Sequence, residues 1–310
     1  MTAAPHSTGS DSAGSDSTGS DSAGPGSGDR TAAAAAVKRE LLVRHLEAWA
    51  PAALHRARRA TYAHGYADLD DGRAAEAALR VFAEQSDLVR GRELAMVAVA
   101  DDAAVTARRL SGVQQPAGSS AALVVHTVPG GTDARLAVAL QAAAAARVPL
   151  FGYLDASAAA VPPALATVAA LSVGKPAEVL LVLAPTVLPR LAAAPEAGTD
   201  GDRLFGDAGW RAVGAQPAGH RVAFLVDCYR AALRSAGFPL ATAVELVIED
   251  AADGELLVFA TTSGKALEGF KEALWAADEF AGVRYRDPGD PDRHPIDIYL
   301  SPHPGPGRRE

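Results

Sequence analysis

The feature that most constrains the fold is a regular alternation of short apolar runs with alanine-rich segments of helical character. A first, shorter apolar run ends near residue 62. Four longer runs follow at residues 94–100, 121–126, 148–154 and 179–184. Between them lie segments 73–84, 103–110, 132–146 and 162–171, whose residues favour helices. Strands that alternate with helices indicate βαβ units. Runs that are apolar throughout predict a mainly parallel sheet with both faces covered.

The C-terminal third predicts a different ending. An amphipathic helix over residues 222–235 is followed by two strands, 243–249 and 255–261, joined by a short link that ends at Gly254. A five-residue link that contains glycine suits a hairpin. Common dinucleotide-binding folds continue with parallel units, whereas the methyltransferase fold closes with an antiparallel strand. We therefore expect an α/β, Rossmann-like methyltransferase fold, with a mainly parallel sheet that ends in an antiparallel strand pair.

Three regions are predicted along the chain. Residues 1–31 contain a near-repeat of Ser, Gly and Asp that cannot bury enough apolar area to order, so they form a disordered leader. Residues 32–285 form the α/β domain. Its first helix is expected to stop near Pro51, and a second helical stretch over 52–59 leads into the first strand. Residues 286–310 form a tail rich in Pro and Gly, with a short strand at 296–300.

The predicted turn at residues 62–72 is the first candidate site. It keeps two glycines but places acids between them: Gly65, Asp68, Asp70, Asp71 and Gly72. In open α/β sheets, the turn after the first strand holds a nucleotide-like cofactor. Carboxylates repel a pyrophosphate, whereas S-adenosylmethionine has no phosphate and carries positive charge. The turn predicts either a site for S-adenosylmethionine or a solvated acidic turn with no ligand.

Acidic residues also follow the second and fourth predicted strands. Asp101 and Asp102 come directly after residue 100, where a carboxylate can accept both ribose hydroxyls of a nucleoside cofactor. The alternative is a helix N-cap, a position that Asp favours. Asp155 ends the fourth strand, where it could act on a substrate amine. The alternative for Asp155 is a helix cap or a strand-end turn.

Charge and cysteine content narrow the function classes. The net charge of −8 disfavours strong binding to nucleic acid, although it does not exclude it. Basic pairs such as Lys38 and Arg39 are interpreted as solvated helix faces. The single cysteine, Cys228, cannot form a disulfide within one chain, which fits a reducing cytoplasm. We expect no secretory signal and no membrane span. We also expect no metal site, because the spacing of His64 and His126 does not match that of metal-binding histidines.

Several ordered segments resemble the three-Cys-motif partner protein family (TcmP). The resemblance extends from about Lys38 to Trp275, with Arg190 matching an arginine beyond the fifth strand. Its most similar segments are Leu204-Phe-Gly-Asp-Ala-Gly-Trp210, Tyr229-Arg-Ala-Ala-Leu233 with Ala236-Gly-Phe238, residues 256–261, and the helix from Gly264 onward.

The resemblance implies a fold, a cofactor and a partner. Members of the family are similar to class I methyltransferases and typically have Asp-Gly-Phe-Ala-Gly-Pro-Gly at the first turn. Here the matching segment is His64-Gly65-Tyr66-Ala67-Asp68-Leu69-Asp70, and the segment after Asp155 is Ala156-Ser157-Ala158 in place of Pro-Phe-Gly. The partner implied by the family is a three-Cys-motif protein.

Site roles follow from this resemblance. The residues expected to hold S-adenosylmethionine are His64, Gly65, Tyr66, Asp68 and Asp101, with Asp155 as the catalytic residue that faces an undefined methyl acceptor. The resemblance therefore implies a three-Cys-motif partner protein similar to S-adenosylmethionine-dependent methyltransferases, with an unknown acceptor. The alternative is a catalytically inactive methyltransferase-fold scaffold that acts through protein partners. The replaced glycine and proline positions of the first turn are the basis for that alternative.

Overall fold

The computed structural model describes residues 27–85, 91–117, 122–197, 199–248, 254–278 and 283–290. Most of the predicted leader, residues 250–253 of the predicted link between strands 243–249 and 255–261, and the predicted strand at 296–300 lie outside these residues.

The described residues form one eight-stranded sheet, with strand order β3-β2-β1-β4-β5-β7-β6-β8. Strands β1 to β5 are parallel, β7 is antiparallel to β5, and β6 is antiparallel to both β7 and β8. The predicted fold class, a Rossmann-like α/β fold whose mainly parallel sheet ends in an antiparallel strand pair, is confirmed. The strands are β1 (Arg59–Gly65), β2 (Glu93–Ala100), β3 (Leu123–Pro129), β4 (Leu150–Ala156), β5 (Ala177–Leu183), β6 (Leu240–Ile248), β7 (Glu255–Thr261) and β8 (Val283–Arg286).

Helices cover both faces of the sheet, which explains why strands such as β5 are buried at every residue. The helices are α1 (Ser27–Arg56), α2 (Arg73–Glu84), α3 (Ala103–Ala117), α4 (Thr132–Ala142), α5 (Leu165–Ala170), α6 (Val187–Ala193), α7 (Thr199–Phe205), α8 (Arg221–Ser235) and α9 (Gly264–Asp278). Residues of α1, α2 and α9 share a hydrophobic core with one face of the sheet. Residues of α4 to α8 share a second core with the opposite face.

The N-terminal helix differs from the prediction. A break near Pro51 is wrong, because α1 continues through Pro51 to Arg56. A proline inside a helix removes the hydrogen bond to the carbonyl four residues earlier. Here that carbonyl belongs to Glu47, and the side-chain amide of Gln85 donates to it instead at 3.4 Å. Burial of Trp49 and Leu54 on either side of the proline also stabilises the continuous helix.

The predicted turn at residues 62–72 also begins too early. Strand β1 extends to Gly65 and pairs with both β2 and β4, so Tyr62 and His64 lie inside the sheet. The turn starts at Tyr66 and ends in a short 3₁₀ segment, Leu69–Gly72. Tyr66, Asp70 and Asp71 have φ values of 56°, 51° and 53°. Left-handed backbone at non-glycine residues is uncommon, so this turn is a locally strained segment.

Candidate functional site

The predicted site residues come together at one edge of the sheet. Strand β1 lies between β2 and β4, and all three are parallel. Their carboxyl ends place Gly65, Asp101 and Asp155 along the same edge, which we call the C-terminal edge. This is where ligands bind in open α/β sheets.

Gly65 has no room for a side chain. A Cβ built on Gly65 would lie 2.6 Å from Leu154 Cδ2 and 2.7 Å from Thr132 Cγ2. The side chains of β4 and of the first turn of α4 already fill the volume next to this glycine. Glycine at this position therefore permits close packing within the protein.

Thr132, which packs against Gly65, also holds Tyr66. Its backbone N–H donates to Thr132 Oγ1 at 2.8 Å, which anchors the left-handed residue after β1. Its ring is half-buried, and burial raises the pKa of the Tyr66 phenol, with the nearby charge of Asp133 adding to the effect. The phenol is therefore neutral at physiological pH.

The aspartates after β1 and β2 have different environments. Asp68 is half-buried, and its Oδ2 accepts the backbone N–H of Asp102 at 3.1 Å, which links the two loops. Asp102 Oδ1 accepts the N–H of Val105 at 3.0 Å and so caps α3. Asp101 is exposed, and its carboxylate makes no hydrogen bond or ion pair within the part of the chain that the structure describes.

His64 is a core residue. It is 2 % exposed, its Nδ1 shares a hydrogen bond of 2.7 Å with Tyr62 Oη, and its ring centroid lies 5.1 Å from that of Tyr153. Burial lowers the pKa of His64 from 6.5 to about 4, although the charge of Asp155 acts in the opposite direction. The imidazole is therefore neutral near pH 7 and stands within the sheet beside two tyrosines.

Asp155 belongs to a mostly buried polar cluster that joins α1, β4 and β7. Lys38 Nζ lies 2.9 Å from Asp155 Oδ2 and 2.7 Å from Glu255 Oε2, and it donates to Ser157 Oγ at 2.8 Å. Asp155 Oδ1 accepts the Ser157 hydroxyl at 2.6 Å and the Ser157 N–H at 3.1 Å. Tyr153 Oη donates to Asp155 Oδ2 at 3.2 Å. We call these five residues the Lys38 cluster.

The charges in the Lys38 cluster depend on one another. Burial alone would lower the pKa of Lys38, but the charges of Asp155 and Glu255 outweigh it and raise that pKa above its ordinary value. Burial alone would raise the pKa of Asp155, yet the Lys38 charge and the Ser157 hydrogen bonds hold it below its usual range. For Glu255, burial outweighs Lys38, and the pKa is raised. The Lys38–Asp155 pair is thus charged at neutral pH.

Four members of the cluster were missed from the sequence: Lys38, Tyr153, Ser157 and Glu255. The interpretation of Lys38 as part of a solvated helix face is wrong, since the residue is 5 % exposed. A signal was present, because Lys38 stands three and four residues before Leu41 and Leu42, on the apolar stripe of α1. Arg39 lies a quarter exposed and pairs with Asp70 at 2.6 Å.

Comparison of the chain with protein-family models and with curated proteins found no match. Within the described ranges, no three His, Cys, Asp or Glu side chains are grouped so that they could hold a metal ion. Over the same ranges, none of the helices combines the length and apolarity needed to cross a membrane.

Proposed function

We propose that this chain is a catalytically inactive methyltransferase-fold scaffold that acts through protein partners. The observation that carries the proposal is that Asp155, the residue expected to face a methyl acceptor, is bound by Lys38 and Ser157. Both carboxylate oxygens already have partners. A carboxylate held charged in an ion pair is a poor general base, because its proton affinity is lowered.

The cofactor positions support the same proposal. S-adenosylmethionine would have to approach the backbone at Gly65, where Leu154 and Thr132 fill the direction in which a side chain of this residue would point. Asp68, a second expected contact, accepts a hydrogen bond from the loop after β2. His64 is inside the sheet. These residues do not fit the cofactor in the arrangement that they adopt, so we derive no methyl-transfer step from them.

The proposed partner is a three-Cys-motif protein, on the strength of the sequence resemblance. The proposed location is the cytoplasm, which the single cysteine, Cys228, supports. The net charge of −8 makes a protein partner a better candidate than nucleic acid.

The scaffold proposal is tested by asking whether a variant of the exposed residue Asp101 keeps the protein partners of the wild type. The tagged full-length chain and its Asp101→Asn variant are expressed in the source cells, and the co-purifying proteins are compared by quantitative mass spectrometry. A scaffold retains the same partners in both samples, since the Asp101 carboxylate makes no hydrogen bond or ion pair among the described residues. Loss of those partners from a folded Asp101→Asn variant would contradict the proposal.

One observation favours a second candidate, an S-adenosylmethionine-dependent methyltransferase with an undefined acceptor. The Asp101 carboxylate is exposed and unpaired among the described residues, at the strand end where a carboxylate can bind ribose hydroxyls. Incubating a lysate of the source cells with methyl-labelled S-adenosylmethionine and the purified chain tests this candidate. The methyltransferase would label an acceptor with the wild-type chain and lose the label with Asp101→Ala.

A further inference from the structure

A cavity of about 240 Å³ opens at the opposite edge of the sheet, between the second half of α1 and the first half of α9. Pro149 and Pro176, which directly precede β4 and β5, lie in its wall, as does Ser263, which follows β7. We call this edge of the sheet, where the parallel strands begin, the N-terminal edge. The cavity is therefore separated from Asp101 and Asp155 by the length of the parallel strands.

Most of the cavity wall is apolar. Small and cyclic side chains leave the space open, and one large aromatic side chain borders it: Ala48, Trp49, Ala52, Ala53, Pro149 and Pro176. A small concave space of this kind, mostly apolar with a few polar groups, is the usual form of a small-molecule site.

A buried carboxylate also lines the cavity. The side chain of Glu178 is 7 % exposed, and its Oε2 lies 3.2 Å from His45 Nε2. The His45 ring is enclosed by Phe151 and Phe259, at centroid distances of 4.6 Å and 5.3 Å. An ionised carboxylate accepts about four hydrogen bonds. Glu178 makes a single side-chain hydrogen bond, to His45, within the described residues, so it retains accepting capacity next to the cavity.

The charges around the cavity favour a cation. The cavity is lined by two basic side chains, Arg56 and Lys265, by the His45 imidazole beside Glu178, and by three carboxylates: Glu178, Glu268 and Glu272. Trp49 adds an aromatic ring, and aromatic rings attract ammonium groups. An anionic ligand would face three carboxylates, whereas an amine would find both a buried acceptor and an aromatic neighbour.

We propose that this cavity binds a small organic amine with an apolar body. The ammonium group donates to Glu178, and the apolar body lies along the alanine and proline side chains of the wall. The site is independent of the C-terminal edge, and the proposal holds whether or not that edge binds a cofactor.

Titration calorimetry of the full-length protein with three probes of similar size tests the charge preference. The probes are phenethylamine, the neutral phenethyl alcohol and the anionic phenylacetate. We expect phenethylamine to bind at least about tenfold more tightly than the alcohol. Hydrogen bonds to charged groups are more favourable in free energy than neutral ones by about the amount that a tenfold change in affinity requires. Phenylacetate is expected not to bind. Absence of phenethylamine binding at millimolar concentration, or equal binding of phenylacetate, would overturn the proposal.

Variants test the location. Glu178→Gln keeps a polar partner for His45 but removes the charge, so the preference for the amine over the alcohol should disappear. A Cβ built on Gly269, which lines the cavity on α9, would meet no atom within 4 Å, so the side chain of Gly269→Leu has room to enter the cavity. Gly269→Leu should abolish amine binding.

Gly112→Leu is the matched control, because a Cβ at Gly112 in α3 also meets no atom within 4 Å, and Gly112 does not line the cavity. Both leucine variants replace glycine within a helix, which favours folding. If Gly269→Leu binds phenethylamine as tightly as Gly112→Leu does, the amine lies elsewhere and the proposal fails.

Discussion

A buried carboxylate lies at each of the two edges of the sheet, and the two carboxylates have different surroundings. At the C-terminal edge, Asp155 is matched by Lys38, and Gly65 is packed against Leu154. At the N-terminal edge, Glu178 borders a cavity of about 240 Å³ and makes a single side-chain hydrogen bond among the residues described. A buried carboxylate marks a ligand site when space and unused hydrogen-bonding capacity accompany it. The C-terminal edge has the topology of a cofactor site, whereas the N-terminal edge has the open volume.

Removing the lysine from the Lys38 cluster should have the largest effect. Lys38→Met leaves Asp155 and Glu255 without their buried cation, and breaking a buried ion pair in this way costs about 3–5 kcal/mol. The free energy of unfolding from urea titration measures the loss.

The adjacent Arg39→Met is the matched control for Lys38→Met, because Arg39 forms a more exposed pair with Asp70. Its cost should be about 1 kcal/mol or less. Equal losses for the two variants would show that the Lys38 cluster is not a buried, internally matched unit.

Filling the space beside Gly65 is the next test. In Gly65→Ala the new methyl group would lie within 3 Å of both Leu154 and Thr132, so we expect a loss of about 1–3 kcal/mol from overpacking. Adding Thr132→Ser removes one of the two clashing methyl groups and keeps the hydroxyl that Tyr66 N–H contacts, so it should restore part of the stability.

Gly112→Ala, at an open helical position, should be neutral or slightly stabilising. Thermal melts of these glycine variants compare a filled position with an open one. If Gly65→Ala melts no lower than Gly112→Ala, the C-terminal edge has free volume beside Gly65.

Acidification should weaken the protein through His64. Its pKa is lowered to about 4 in the folded state against 6.5 for a free histidine, so the unfolded chain binds more protons between these values. Stability from this group is present above pH 6.5 and is lost as the pH falls toward 4. Between pH 7 and pH 5 we expect a loss of about 2 kcal/mol from His64 alone.

His64→Asn keeps a hydrogen-bond acceptor for Tyr62 and has no ionisation in this range. Urea unfolding of both proteins at pH 7 and pH 5 isolates the histidine contribution. An identical pH dependence in the two proteins would show that His64 is not a neutral core residue.

The smallest expected effect is the difference in stability between alanine variants of two neighbouring aspartates. Asp102→Ala removes the N-cap of α3 and should cost about 1 kcal/mol. Asp101→Ala removes no hydrogen bond or ion pair among the described residues and should stay within about 0.5 kcal/mol of the wild type. Matched urea titrations resolve the difference. A larger cost for Asp101→Ala would mean that this carboxylate is committed to the fold.

Local patterns were sufficient for much of the fold. The helix predicted over 73–84 coincides with α2 (Arg73–Glu84), and the strand predicted over 255–261 coincides with β7 (Glu255–Thr261). Both follow from apolar periodicity within the segment itself. Of the two alternatives for Asp101 and Asp102, the helix cap is found at Asp102, and the ribose-binding role stays a prediction.

The parts that could not be predicted depend on distant residues. Lys38 meets Ser157 across 119 residues of sequence, and no local pattern indicates that pairing. Likewise, Pro51 remains inside α1 because Gln85, from another helix end, supplies the missing donor to Glu47. The extension of β1 to Gly65 depends on pairing with β2 and β4. Whether a candidate site is open or filled is a tertiary property, and Gly65 is the clearest example.

Titration calorimetry of the full-length wild-type protein with S-adenosylmethionine tests the central claim most directly. The account predicts no saturable heat up to millimolar ligand, since Asp155 is already paired with Lys38, Asp68 is hydrogen-bonded to the neighbouring loop and His64 lies inside the sheet. A saturable heat that Asp101→Asn weakens would show that the C-terminal edge still binds the cofactor, and it would contradict the scaffold proposal.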